Sequence, residues 1–526
     1  MNVQPRRWRH PSCLVAVLLC GLLVWPALGQ EAPKADDACN RGKELMQDGK
    51  VDEAIAQFTE AIRLDPKSPQ AYLHRGSGYW EKGEFDKAIA DYGQAIRLDP
   101  KLADAYYSRG LAYLNKGAVE EAVADLSEAI RLAPKLTEAY LSRASAYRER
   151  GEFDKAIADC NQAVQLEPKS GNAHFHRGLV YMSKKEWPAA IADFGRTLQI
   201  DPQDADAYVN RASCQLENGQ IDEAIADCAQ ALKLDPKLVH AYFTRGSVYQ
   251  RMGDRQKALA DLDQAIRLDP EFAEAYLNRA RAHWENDEFD ETIADSSRAL
   301  GLGLNHAEAY YFRGNAHYKK GSLDQAVADF SQAIRLNPQL ADAYFKRAAA
   351  YWVKQDPRKA IADCDAAIRL GLKSSGVYCY RGAAHYVTGD FDQAILDLSQ
   401  AIRLEPKRVD AHYYRGVAYY KKDDLKSAIA DLTAAIRFGP ENPKIYTNRG
   451  YMYGKNGQFD QAIADFARAK IHCAKFLRSR LRGGFARIRA ANQHRERYNA
   501  YQESFHLQKR TRRISGEHGF RWPQAV

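Results

Sequence analysis

The sequence predicts an all-α solenoid built from tandem helix-turn-helix repeats of 34 residues. Three observations carry that fold class. One plan of residues recurs thirteen times, in phase and without a gap, between residues 35 and 476. Within each copy, apolar and small side chains return at three- and four-residue steps, the period of a helix face and not the alternation of a strand. Gly and Pro fall at the same places in copy after copy, splitting each into two helices and closing it. Two helices alone cannot bury their apolar faces, so the copies must stack, each touching its neighbours. The 526 residues therefore argue for one elongated array rather than several globular domains.

The copies span 35–68, 69–102, 103–136, 137–170, 171–204, 205–238, 239–272, 273–306, 307–340, 341–374, 375–408, 409–442 and 443–476, and are numbered here as repeats 1 to 13. Repeat 2, Pro69 to Leu102, shows how each element arises. Tyr72 at position 4 and Tyr79 at position 11 place large groups on one face of a first helix, and Gly76 at position 8 lets a neighbour approach between them. Gly83 at position 15 supplies a left-handed cap that ends this helix. A second helix follows, with Ala88 and Ala95 at positions 20 and 27 where backbones come close. Pro100 at position 32 closes it, because the residue before Pro is pushed out of the α region. Position 8 is Gly except for Ala144, Ala212, Ala280 and Ala348; position 20 is Ala except Thr292, and position 27 is Ala except Thr197. Repeats 8 and 10 end in Leu304 and Leu372 instead of Pro, within GLGLN and GLKSS, where the extra glycines suggest looseness or a change of pitch. Repeat 1 lacks the aromatic at position 4 (Ala38) and reads as an N-terminal cap.

The aromatic at 4, Gly or Ala at 8, Tyr at 11, Ala at 20 and 27 and Pro at 32 resemble the tetratricopeptide repeat, over residues 35–476. The resemblance implies a right-handed superhelix whose first helices line a concave groove, with positions 2, 5, 9, 12 and 13 facing it, and a protein or peptide as ligand.

The two ends differ from the array. Arg6, Arg7 and Arg9 precede an apolar run from Cys13 to Trp25, followed by PALGQ with small Ala27 and Gly29. This reads as a secretory signal peptide cut after Gly29, with 30–34 as a short leader. The run is short of the ~20 residues that span a bilayer, although an uncleaved anchor is the alternative. The expectation is an exported protein, periplasmic or secreted. At the other end, 475–526 holds eleven Arg and two Lys against three Glu, so the overall charge of +8 belongs to the ends and the repeat body is mildly acidic. Ile471, Leu477, Leu481, Phe485 and Ile488 have roughly helical spacing, so 477–526 reads as a basic cap that begins as a helix and passes into a disordered tail beyond about Tyr501. Its charge suits anionic lipid or an acidic envelope glycan, or simply solvates the end of the array; export disfavours nucleic acid.

Without Cys13 and Cys20, seven of the nine cysteines remain, an odd and scattered set with no CxxC and no zinc spacing. Cys160, Cys228 and Cys364 stand at position 24 as small core residues, while Cys214 and Cys228 lie on the two helices of one repeat. No metal or cofactor is expected. No phosphate loop, HExxH or nucleophile elbow occurs, and His283, His317 and His385 replace Tyr at position 11, so no enzyme is expected either.

Two constellations remain. Position 7 is Arg in every repeat and position 23 is Asp in twelve, for example Arg75 with Asp91, Arg245 with Asp261 and Arg313 with Asp329. A cation on one helix and an anion on the other suit a structural ion ladder; a row of arginines alone would read as an anion-binding strip. Position 12 is aromatic in five consecutive repeats, as Trp284, Tyr318, Trp352, Tyr386 and Tyr420, with Tyr311, Phe345 and Tyr413 at position 5 nearby and Asn315 and Lys319 beside them. Such a stripe either binds an extended peptide or stacked sugar rings, or packs against the next repeat as core. Position 2 is largely acidic, as in Glu274, Glu308, Asp342 and Asp410. The family resemblance also brings to mind a clamp for a C-terminal carboxylate, with Lys at 5 and Asn at 9, but no repeat has both. The expected function is an exported scaffold or adaptor that binds another protein through its groove; the alternative is glycan or membrane-surface binding through the groove aromatics and the Arg-rich tail.

Overall fold

The computed structural model describes the backbone from Lys34 to Gly484 and the side chains up to residue 472. The signal-like segment and most of the basic tail lie outside these residues. Among the described residues there are 26 helices, from Lys34–Gln47 to Phe459–Gly484, and no strand. They run in consecutive pairs, one pair per 34-residue repeat. The chain divides into two compact parts, Met1–Met252 and Gly253–Val526. The first contains repeats 1 to 6 and the first helix of repeat 7 (Val239–Met252); the second runs from the other helix of repeat 7 (Arg255–Leu268) through repeat 13. No helix among the described residues is long and apolar enough to cross a membrane.

The turn between paired helices is set by backbone conformation at position 15. Gly83, Gly117 and Gly321 sit there at φ of 72° to 80°, the left-handed region. Repeats 5, 8, 10 and 12 carry Lys185, Asp287, Gln355 and Asp423 at the same place, and these keep φ of 59° to 64°. The fold imposes this conformation whether or not the residue favours it. At the other turn, Asp99 is extended ahead of Pro100, and its N–H bonds to the Ala95 carbonyl at 2.8 Å. Repeats 8 and 10 end differently: Gly303 and Gly371 adopt φ of 91° and 93°, and Leu304 and Leu372 donate back to Ala299 and Ala367 at 3.1 and 3.0 Å. What the sequence suggested as looseness is an ordered left-handed cap of the six-to-one kind.

Within a repeat, position 8 of the first helix faces position 24 of the second. A Cβ added at Gly76 would lie 2.7 Å from the Tyr92 ring, and one at Gly178 would lie 2.9 Å from Phe194. The four repeats with Ala at position 8 all carry a small residue at 24: Cys160, Cys228, Ser296 and Cys364. The extra methyl and the missing ring compensate, which is why these cysteines are where they are. All six described cysteines are buried, including Cys214 and Cys228, and burial pushes the Cys160 and Cys214 thiols up to about 12.

Between repeats, first helices of successive repeats touch one another inside each compact part, whereas second helices touch only first helices. The first helices therefore form the inner side of each part. Repeat 1 turns a polar surface outward at Asp36, Asp37, Asn40, Arg41, Glu44 and Gln47, all exposed, as a terminal cap requires. At the far end, the second helix of repeat 13 runs past 476 without a break to Gly484.

Candidate functional site

The ion ladder ties the first helix of a repeat to its second. Eleven Arg–Asp pairs form within their own repeat, each between position 7 and position 23. The geometry is bidentate: Arg75 donates from Nε and Nη2 to the two Asp91 oxygens at 2.7 and 2.8 Å, and Arg313 does so to Asp329 at 2.9 and 2.7 Å. Arg245 and Asp261 are divided between the two compact parts.

A further contact was not foreseen in the sequence. In nine of these arginines Nη1 donates to position 25 of the preceding repeat, reaching Thr59, Ser127, Asn161, Asp263, Ser297, Ser331, Asp365, Ser399 and Thr433 at 2.6 to 3.3 Å. Arg109 and Arg211 face Gly93 and Gly195 instead. The signal was available, since position 25 is polar in nine repeats and otherwise Gly (Gly93, Gly195) or Ala (Ala229, Ala467). Ten of the eleven guanidinia also lie over a Tyr ring at position 4 or 11 of their own repeat; Arg75 lies 5.6 Å from the Tyr72 ring and 5.9 Å from Tyr79. The arginines are thus consumed by structure on every side.

The position-12 aromatics of repeats 9 to 11 join a lattice that crosses repeats. The Trp352 ring lies 6.5 Å from Tyr380 in the next repeat and 6.0 Å from Tyr414 in the one after. Tyr386 packs on Tyr414 at 5.9 Å, Phe345 on Tyr380 at 5.7 Å, and Tyr413 on Tyr414 at 5.2 Å. The Tyr318 and Tyr380 hydroxyls, two repeats apart, lie close enough to influence each other. Tyr380 and Tyr414 knit the lattice together, and the sequence reading passed over them. They stand at position 6, which is otherwise mostly Ser, Asn or Thr; an aromatic there was the missed signal. All of these rings are half-buried.

The other expected groove residues lie around this lattice. Trp284 packs on Phe289 of its own repeat at 5.6 Å, and Tyr420 on Tyr451 at 5.9 Å with Lys455 Nζ 6.0 Å from its ring. Tyr311 packs on Phe330 at 6.2 Å, with Asn315 one turn further along the same helix. Asn315 is a correction: it is only 2 % exposed, so its amide is not offered to an open groove. Lys319 is half-buried and faces Lys346, whose ammonium is held below its usual range by burial, with Lys319 adding to the effect and Asp342 opposing it. Burial pushes the Tyr413 hydroxyl up to about 12, while Asn448 donates to its oxygen at 2.9 Å; burial also raises Tyr311, Tyr318 and Tyr386. At ordinary pH these phenols are neutral. The face can therefore offer ring edges and phenol O–H groups to a ligand with little loss of side-chain freedom, because the rings already fix one another. Of the acids at position 2, Glu308 pairs with Arg281 of the preceding repeat at 2.7 Å, and burial raises the Asp410 carboxyl.

Comparison with known proteins agrees with the repeat plan. A family model described as TPR repeat matches residues 42–83, 76–117, 144–185, 178–219 and 314–355. Models described as tetratricopeptide repeat match 103–136, 211–283, 381–443 and 432–464. No curated protein matches the chain. Among solved structures, it is similar to the Cut9–Hcn1 hetero-tetramer of the APC/C at 15% identity, over 80% of this chain and 96% of that one, with a TM-score of 0.38. It is also similar to a tetratricopeptide repeat protein from Parabacteroides merdae ATCC 43184 at 18% identity (48% and 99% covered, TM-score 0.41) and to MamA at 24% identity (31% and 96% covered, TM-score 0.30). With family matches distributed from residue 42 to residue 464, this chain belongs to the tetratricopeptide repeat family.

Proposed function

We propose that this protein is an exported scaffold or adaptor that holds an extended segment of another protein along the inner face of repeats 8 to 12. At the general level, repeats of this family bind protein or peptide partners, and the chain is an interaction scaffold of that kind. The observation that carries the finer reading is the aromatic lattice from Tyr318 to Tyr414, which presents half-buried rings and neutral phenols already fixed on the inner helices. Its ladder arginines are engaged with Asp, so recognition falls to the aromatics and to Lys319.

The test places a photo-crosslinking residue at Val387, 55 % exposed at position 13 of repeat 11, and separately at Leu396, 62 % exposed on the second helix of that repeat. One defined partner band from 387 and none from 396 supports the reading. Equal labelling from both positions, or none from either, rejects it. Export is tested by N-terminal sequencing of the protein from its producing cell, which should begin at Gln30. The second reading, contact with an envelope glycan or anionic surface, is favoured by the charge of the 475–526 segment. It predicts binding that weakens steeply with salt and is lost when that segment is removed.

A further inference from the structure

Along the inner face of repeats 9 to 13, charged and apolar surface alternate. Repeat 11 is the apolar stretch: its inner positions 2, 5, 6, 9, 12 and 13 hold Gly376, Cys379, Tyr380, Ala383, Tyr386 and Val387, none of them charged. Position 2 is acidic in most repeats, but at Gly376 the Phe345 ring of the preceding repeat takes the space, its Cζ 3.0 Å from where a Cβ would lie. Val387 is 55 % exposed, and Val353 stands half-buried at the same position of repeat 10. Lysines lie on both sides of this stretch. Lys346, half-buried beside Lys319, comes before it, and Lys421 and Lys455, both exposed, come after it.

Among the described residues, Lys346, Lys421 and Lys455 form no ion pair with a carboxylate. The lysines at position 14 behave differently: Lys320, Lys354 and Lys422 each pair with an Asp of the preceding repeat, Asp290, Asp324 and Asp392. Lys421 and Lys422 are neighbours in the chain, yet only the second is satisfied within the array. The inner acids do not supply the missing partner, since Glu308 is held by Arg281 at 2.7 Å and Asp342, exposed one turn from Lys346, does not close on it. Burial holds the Lys346 ammonium below its usual range, with Lys319 adding to the effect and Asp342 opposing it. A half-buried cation in that position is one half of an ion pair, and an incoming carboxylate completes it.

We infer that the segment bound on this face has a short apolar centre flanked on both sides by acidic side chains. One acid meets Lys346 and Lys319, the apolar side chains lie on Val353 and Val387 beside Trp352 and Tyr386, and the second acid meets Lys421 and Lys455. This rests on the reading that repeats 8 to 12 hold an extended segment, and gives that segment its chemistry. Packed helices lie ~8–10 Å apart, so the two steps from repeat 10 to repeat 12 cover ~16–20 Å. Lys421 also stands seven positions further along its helix than Lys346, which adds ~10 Å at right angles. The diagonal of ~19–23 Å is about six or seven residues of extended chain. The lysines read carboxylates within a segment, so a free chain end is not required.

Selection of displayed random peptides on the full chain tests this, with peptides of about sixteen residues, long enough to cross the face. Enriched peptides should carry Asp or Glu on both sides of an apolar pair, about six or seven residues apart. A synthetic enriched peptide should bind equally well with its C-terminus amidated. Its affinity should fall about tenfold with Lys346→Gln and about threefold with Lys421→Gln. Lys422→Gln should leave affinity within about twofold, because that ammonium is already on Asp392. With Lys346→Glu, exchanging the first acid of the peptide for a lysine should restore binding. Enriched peptides that need Trp352 but carry no acids, or that ignore Lys346 and Lys421, overturn this inference and leave the groove reading standing. Peptides indifferent to Trp352→Ala, or no enrichment at all, overturn both.

Discussion

The opposition of positions 8 and 24 yields a prediction whose sign changes with background. In Gly178→Ala the new Cβ would meet three atoms of the Phe194 ring, at 2.9, 3.0 and 3.1 Å. Carbon pairs prefer ~3.5–4.0 Å, so the ring or the helix must give way. Overpacking of this kind costs ~1–3 kcal/mol, while replacing a mid-helix Gly by Ala returns ~1 kcal/mol of propensity. The single variant should therefore lose about 1 kcal/mol. In a Phe194→Cys background the overlap disappears, as it has in repeat 4 with Ala144 and Cys160, and the same Gly178→Ala change should then gain about 1 kcal/mol. The coupling is about 2 kcal/mol, well above the few tenths expected of independent sites. Urea unfolding of the four proteins, with hydrogen exchange over Gly171–Lys184 to localise the effect, measures the cycle. Equal effects of Gly178→Ala in both backgrounds would refute the packing argument.

Arg347→Ala strands the buried Asp363 carboxylate and the Ser331 hydroxyl that Arg347 now holds; removing one partner of such a pair costs ~3–5 kcal/mol, to be read as a lowered unfolding midpoint, with Arg347→Lys recovering only part. Gln355 is held at φ 63°, a conformation that costs a side chain ~1–2 kcal/mol, so Gln355→Gly should raise the midpoint by about 1 kcal/mol and Gly321→Ala should lower it comparably. His74, stacked 5.6 Å from Phe58, is pushed down to about 4 by burial, with Lys43 adding to the effect. Its folded-state value lies below the unfolded one, so the unfolded chain takes up the proton first. Stability of repeats 1 and 2 should be flat above pH 6.5 and fall by about 2–3 kcal/mol as pH drops to 4. His74→Gln should remove that slope in a melting series across this range.

The repeats were legible in the sequence because the devices that make them are local. A glycine at 15 or 8, or an alanine at 20, acts within its own pair of helices, and the period repeats the signal thirteen times. The ladder was legible for the same reason, its two partners lying 16 residues apart. What escaped notice depends on neighbours two helices or more away. Tyr380 and Tyr414 look unremarkable within their own repeats and matter only because Trp352 and Tyr318 reach across to them. Asn315 was misplaced because position 9 faces inward in general, whereas here the side chain is buried. Gln355 and Asp423 in the left-handed region could not be read from residue type, since the turn overrides their preference.

The matching of position 8 to position 24 has a consequence for how such a gene can change. Recombination between two repeats at the Pro-containing turn transfers both positions together, and every volume match is inherited intact. A crossover between the two helices of a repeat splits the pair. Joining the first helix of repeat 4 to the second helix of repeat 5 would set Ala144 against Phe194, and the reciprocal product would set Gly178 against Cys160, leaving a void. A gain or loss of whole repeats keeps each of these volume matches, while a breakpoint inside a repeat breaks one. The boundaries of the heritable module are thus drawn by a clash between one methyl group and one ring.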